Sequence, residues 1–259
     1  MGTVTKALSL LKYFSQLQPE IGLSDMTRMS GMNKATVYRL LSELQEGGFV
    51  EQVGNGRAYR LGPEVLRLAA LREATVPILS VSRAVLDRLS TATGETAHMS
   101  IVQGTQLNAL SHAYSPRHAA KVMMDDAEVL SFHATSSGLA ILAFSEAGFV
   151  DTILAQPLRA FTAETVTDPA AIRGRLEAIR RAGISESVNG FELDVHSFSA
   201  PVFGPEQWPI GAIAVAAPIS RVDAAAQRLI SAELRHCARD MTRDIGGICP
   251  ADFPAEAAA

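Results

Sequence analysis

At 259 residues, with 47% hydrophobic and 19% charged side chains and no apolar run near the roughly 18 residues of a membrane span, the chain reads as a globular protein with no place in a membrane and room for one large core or two modest ones. Two cysteines, Cys237 and Cys249, are too few for a disulfide framework or a zinc finger, and MGTVTKALSLLKYF has no long apolar leader, so a cytoplasmic protein is expected. The net charge of −4 is uneven: residues 1–62 carry 7 Lys/Arg against 5 Asp/Glu and the remainder 16 against 22, a basic amino-terminal module beside an acidic body.

Val4–Leu17 reads as a first helix, with Leu8, Leu11 and Phe14 facing inward and Pro19 blocking its continuation. A shorter helix, Ser24–Ser30, meets the next through a tight turn at Gly31-Met32. In NKATVYRLLSELQEGGF, Asn33 is a good N-cap, Gly47-Gly48 a good stop, and Val37, Leu40, Leu41 and Leu44 make one apolar stripe. Lys34, Thr36 and Arg39 lie off that stripe on the first two turns. The periodicity alone fits a surface helix of a bundle as well as a helix that enters a DNA major groove. The order helix, tight turn, helix favours the groove, because a helix-turn-helix presents the N-terminal residues of its second helix to base edges. Phe49–Val53 and Ala58–Leu61 then alternate around Gly54-Asn55-Gly56-Arg57, a β-hairpin that would complete a winged helix. Tyr38, Arg57 at the wing tip and Arg60 beside it are candidate phosphate or minor-groove contacts. With Asn33, these residues constitute the expected DNA-binding set.

Gly62-Pro63 punctuates the chain and Pro63 suits the first position of a helix to about Thr75. Val65, Leu66, Leu68, Ala69, Ala70 and Leu71 make that helix apolar on more than one face, which predicts packing against a second subunit. A helix at Ile78–Thr93 ends at Gly94. Strands follow at Thr96–Gln103, Leu107–Ala113 and Lys121–Met124; a loop, Ser131–Ser137, feeds a helix at Gly138–Phe144, and another covers Phe149–Ala155. Asp168-Pro169 is a strong N-cap/N1 pair for a helix to Arg181, stopped by Gly183. Strands return at Ile184–Ser187, Val195–Phe203 and Ile210–Ala217, and a last helix runs Val222–Arg243 before a tail, from Gly246, expected to fray. The second part is thus α+β on an antiparallel sheet.

No motif for catalysis or cofactor binding stands out. The chain has no Gly-Lys-Ser/Thr phosphate loop and no Gly-x-Ser-x-Gly elbow, and Gly54-x-Gly56 lacks a third glycine. His98, His112, His118, His133, His196 and His236 show no metal-ligand spacing, so neither metal nor cofactor is expected. Ser136 and Ser137 precede a helix, where they can serve as N-caps, as part of an anion cradle, or as both.

In its order of motifs the sequence resembles the IclR family of bacterial transcriptional regulators over about residues 5–245. The resemblance rests on KALSLLKYF, NKATVYRLLSELQEGGFV and YRLGPEVLRLA, then on GETAHMSI, FHATSSGLAILAF, TDPAAIRGRLEAIRRAGIS, and SAPVF followed by IGAIAVAAPISRV. It implies a winged helix-turn-helix (1–62), a linker helix (63–76), a GAF-like antiparallel-sheet effector domain (77–245) and a disordered tail (246–259). It further implies a homodimer or dimer of dimers on double-stranded operator DNA, regulating a catabolic operon, here expected as a repressor, in response to a small organic acid. The resemblance places the effector between the sheet and the Phe132–Gly138 loop. There Ser136 and Ser137 would meet a carboxylate, Ser187 and Ser197 would face the cavity from neighbouring strands, and Val122 and Met124 would supply apolar wall, with His118 counted among them. The family loop usually continues after its glycine with a small residue and a lysine, where this chain has Leu139. Acidic residues and a glycine are usual where it reads Val188-Asn189-Gly190, and hydroxyl residues are frequent where it has Ala214 and Ala216. The smaller, less polar alanines point to a bulkier effector, an aromatic carboxylate. The competing reading is an enzyme acting on a small acid with the winged helix as a protein-interaction module; the lack of a placed catalytic triad disfavours it.

Overall fold

In the first part of the chain, α1 (Thr3–Leu11), β1 (Ile21–Gly22), α2 (Leu23–Ser30), α3 (Lys34–Glu46), β2 (Val50–Val53), β3 (Ala58–Leu61) and α4 (Pro63–Thr75) follow one another. These elements come from a computed structural model that describes residues 2–15, 17–54, 58–75, 77–125 and 128–254. The expected turn residues Asn55, Gly56 and Arg57 lie outside them. Contacts divide the chain into two units, Met1–Pro77 and Ile78–Ala259.

In the first unit α3 is capped as its sequence predicts: the Asn33 side chain accepts from the Thr36 amide at 2.8 Å. Gly31 ends α2 at φ +66°, a left-handed conformation that lets α3 turn sharply away. Val37, Leu40, Leu41 and Leu44 are all buried, against Leu10, Ile21, Met26, Val50 and Tyr59. β1, a short strand that the sequence did not announce, pairs with β3 (Ile21↔Tyr59) and makes the hairpin a three-stranded sheet, β1-β3-β2. The first helix is shorter than expected and stops at Leu11. Beyond it Ser15 and Gln18 bond each other's backbone, and the Ser15 hydroxyl accepts from the Gln18 amide, a local turn that competes with further helix.

The second unit comprises α5 (Ile78–Thr93), β4 (Thr96–Gln103), β5 (Gln106–Ala113), β6 (Val129–Leu130), α6 (Ser136–Phe144), α7 (Ala147–Leu154), α8 (Pro169–Ala182), β7 (Ser185–Val188), β8 (Val195–Phe203), β9 (Pro209–Pro218) and α9 (Ala224–Asp244). Six antiparallel strands run in the order β6-β5-β4-β9-β8-β7. Helices α5 and α9 pack on the sheet, α6 lies on β7, β8 and β9, and α8 covers α6. Every residue of α6 is buried, as befits a helix apolar all round and held between a sheet and another helix. Asp168 caps α8 through its carboxylate, which accepts from the amides of Ala170 and Ala171, and Gly183 ends the helix at φ +68°.

Three expectations fail here. Lys121–Met124 is not a strand: the Met124 amide and carbonyl bond the Tyr114 hydroxyl, and the Val122 carbonyl accepts from Thr96 Oγ1 at 2.9 Å. Its alternation of buried Val122 and exposed Met123 mimics a strand while side chains do the work of a ladder. The helix expected at Gly138 begins instead at Ser136, and Thr135 is its N-cap, accepting from the Gly138 amide at 3.1 Å. Gly138 is required there, since a Cβ would fall 2.2 Å from Phe132 Cα. Residues 246–254 do not fray: Phe253 is buried against Phe144 and Phe203, Arg239 lies over its ring, and Arg180 bonds Asp252. One aromatic anchor holds a segment whose composition reads as a tail; residues 255–259 lie outside the described chain.

Candidate nucleic-acid interface and ligand cavity

The outer face of α3 follows from the burial of its inner one. With the apolar stripe turned into the unit's core, Asn33, Lys34, Tyr38 and Arg39 are exposed and Thr36 is half-buried. Among the described residues neither Lys34 nor Arg39 has a carboxylate in ion-pair reach, so both cations stand ready for an external anion. Arg60 differs. Its Nε lies 2.6 Å from Glu51 Oε1 across the β2–β3 pair, an exposed contact worth little in itself that a phosphate could displace. Arg57 lies outside the described residues. The Asn33 side chain is already engaged as the cap, which leaves its amide nitrogen as the outward donor.

The cavity of the second unit, about 220 Å³, lies where the 121–125 segment and the loop after β7 approach the amino end of α6. Of the nine residues expected around an effector, Val122, Met124, Ser136, Ser137, Ser187, Ser197 and Ala216 line it. Register explains the grouping. Ser187 pairs with Ser197 and Ser197 with Ala216, so all three stand on one face of the sheet, with Thr96 beyond them. Two expectations are corrected. Ala214 is completely buried between its cross-strand partners His98 and Ser199 and is not among the residues that line the cavity. His118 lies in a different cleft, beside Glu95, Arg117 and Arg221, because Pro116 and Arg117 turn the chain away after β5.

The cavity also gathers residues that the sequence did not single out for it: His98, Asp125, Glu128, Thr135, Phe191 and Glu192. His98 is buried, and desolvation, with a smaller contribution from His112 opposite it, lowers its pKa to about 4, so it is a neutral imidazole at pH 7. Its Nδ1 and the Ser137 hydroxyl are buried with no hydrogen-bond partner. Orphaned polar atoms are costly in a protein interior, and two in one cavity mark a place where a ligand group can satisfy them. Beside them are the amides of Ser136 and Ser137, at the helix positions that lack an i−4 acceptor and carry partial positive charge. The Ser187 hydroxyl, by contrast, donates to the Ala134 carbonyl at 2.8 Å and holds the α6 loop to the sheet. Glu128 is half-buried at the mouth, and burial together with Asp125 and Glu192 raises its pKa above the usual carboxylate range. A single signal could have flagged His98: a histidine in mid-strand, on the same side as Thr96 and Ser100.

Comparison with known proteins agrees with this layout. Residues 3–54 match the IclR helix-turn-helix domain and residues 72–243 match the bacterial transcriptional regulator IclR C-terminal domain. The chain is 24% identical to the transcriptional repressor IclR of Escherichia coli K12, over 95% of this chain and 90% of that one. A crystal structure of an IclR-type transcriptional regulator from Silicibacter sp. TM1040 is 62% identical, superposes with a TM-score of 0.93, and covers 98% of this chain and 100% of its own. An IclR homolog from Microbacterium hydrocarbonoxydans, complexed with 4-hydroxybenzoate, shares the fold at a TM-score of 0.80 and 22% identity, covering 94% of this chain and 99% of that one. The Escherichia coli relative is named as a transcriptional repressor.

Proposed function

We propose that this chain, which belongs to the IclR family of bacterial transcriptional regulators, is a one-component repressor of a catabolic operon, released or engaged by a small organic acid. In this reading residues 1–62 bind the operator, 63–76 link and 77–245 hold the effector, as a homodimer or dimer of dimers in the cytoplasm. Lys34, Thr36 and Arg39 read base edges, Asn33 sets the register of α3, and Tyr38, Arg57 and Arg60 meet phosphates. The carboxylate lies on the amino end of α6, where Ser137 Oγ and His98 Nδ1 await partners; that pair of orphaned groups carries the effector reading. An aromatic ring suits Val122, Leu130 and Phe191, which give the cavity apolar wall. The aromatic preference now rests on those residues and on Ala216, since Ala214 is withdrawn from the surface. The relative that is complexed with an aromatic acid is consistent with this class.

The test is a gel-shift titration on the DNA upstream of the chain's own gene. Arg39→Ala should cost about 1–3 kcal/mol, roughly 5- to 150-fold, and relax specificity at one position. Affinity should fall steeply with salt as counterions are released. An Arg39→Ala protein that matches the wild type on every sequence would refute the assignment.

A further inference from the structure

The polar groups of the cavity are sorted by sign. Deep inside are the Ser137 hydroxyl, the neutral His98 and the amides of Ser136 and Ser137, groups that suit an anion. At the mouth stand three carboxylates, with Asp125 and Glu192 exposed and Glu128 half-buried. No lysine or arginine lines the cavity among the described residues. A ligand that is only an anion would pass and then sit beneath three like charges with no cation to offset them, which costs affinity and slows entry.

We propose that the effector is a zwitterion: its carboxylate sits on the amino end of α6, and an ammonium or quaternary ammonium group at its far end lies among Asp125, Glu128 and Glu192. The proposal rests on the reading of this cavity as the effector site and names the ligand class more narrowly. The two unpartnered buried atoms, His98 Nδ1 and Ser137 Oγ, show independently of the acidic rim that the cavity is built for a polar guest. Phe191, whose ring packs 4.7 Å from that of Phe161, gives an alkylated cation an aromatic wall near the rim. A metal ion is a poorer guest for these carboxylates, since among the described residues no group of three or more His, Cys, Asp or Glu is arranged to hold one. The pKa of Glu128 is raised first by burial and then by Asp125 and Glu192, as suits a half-buried carboxylate with two like neighbours.

The experiment is isothermal titration of the full-length protein with matched pairs: γ-aminobutyrate against butyrate, 5-aminovalerate against valerate, and 4-(aminomethyl)benzoate against 4-methylbenzoate. At least one amino acid should bind 10-fold or more tightly than its partner lacking the amine. Glu128→Gln, and separately the exposed pair Asp125→Asn/Glu192→Gln, should erase that advantage and leave the simple acid's affinity equal or higher. If the simple acids bind as well as their amino counterparts, the zwitterion is wrong and the carboxylate site stands. If neither series binds, the carboxylate site falls and the zwitterion with it. A divalent cation (Mg2+, Ca2+ or Zn2+, each tried alone) that binds wild type and not Glu128→Gln would make the rim a metal site and overturn the proposal.

Discussion

Acidification should destabilise the second unit through one residue, His98. In the folded chain its pKa is lowered to about 4, first by burial and then by His112, from an ordinary value of 6.5. The unfolded chain therefore takes up a proton that the folded one refuses. The stability contribution of the neutral imidazole is present in full above pH 6.5, is lost progressively as pH falls from 6.5 to 4, and is flat below. The gap of about 2.5 pH units, at 1.36 kcal/mol each, amounts to about 3.4 kcal/mol, a large share of the roughly 5–15 kcal/mol that holds a domain together. The chain's single tryptophan, Trp208, lies between β8 and β9, so its fluorescence follows the second unit alone. Urea unfolding read at Trp208 between pH 7.5 and 4.5 should show wild type losing about 2.5 kcal/mol more than His98→Gln over that window. The difference between the two proteins cancels the carboxylates, which titrate in both. Parallel losses would mean that His98 is protonated in the fold and that the cavity is wetter or more polar than its lining implies.

Ser137→Ala removes a buried hydroxyl with no partner, so the free protein should keep its stability within about 1 kcal/mol or gain slightly, while affinity for a carboxylate ligand drops about 10-fold; thermal melting with and without ligand checks both halves, and a large loss of stability would show the hydroxyl to be partnered. Self-association should run through α4, which has no buried residue and exposes Leu66, Leu68 and Leu71 at 74%, 40% and 54%. Leu66→Glu/Leu71→Glu should convert a dimer to a monomer in light scattering at micromolar concentration, and a wild-type monomer, or an undisturbed dimer in the variant, would contradict this.

Much of this protein could be read along the chain because the deciding contacts are local. The Asn33 cap, the Val37/Leu40/Leu41/Leu44 stripe, the Gly31 turn, and the Asp168-Pro169 start and Gly183 stop of α8 each depend on groups within a few residues of one another, so period and cap chemistry were enough. In two places where local signals misled, a distant side chain had intervened. Thr96 and Tyr114 satisfy the backbone of Val122 and Met124, which alternates like a strand, and Phe144 and Phe203 hold Phe253 in a segment that otherwise resembles a tail.

The cavity divides the same way. Ser136 and Ser137 were legible from their place at the start of a helix and Ser187 and Ser197 by resemblance, but only the strand order β4-β9-β8-β7 brings His98 alongside β9, across a sequence separation of more than a hundred residues, and so onto the same floor as Ser197 and Ala216. The same packing buries Ala214 while leaving Ala216 in reach of a ligand, a distinction that a period of two cannot make. The sequence by itself determined most of the helices and long strands, because hydrophobic period and capping act over one or two turns, and the order of its motifs pointed to the family; the two-residue strands β1 and β6 carry no such period. Which polar atoms lose water, which of them go unpartnered, and that three carboxylates meet at one mouth were decided by tertiary structure alone, because desolvation and charge crowding depend on what the fold brings together in space.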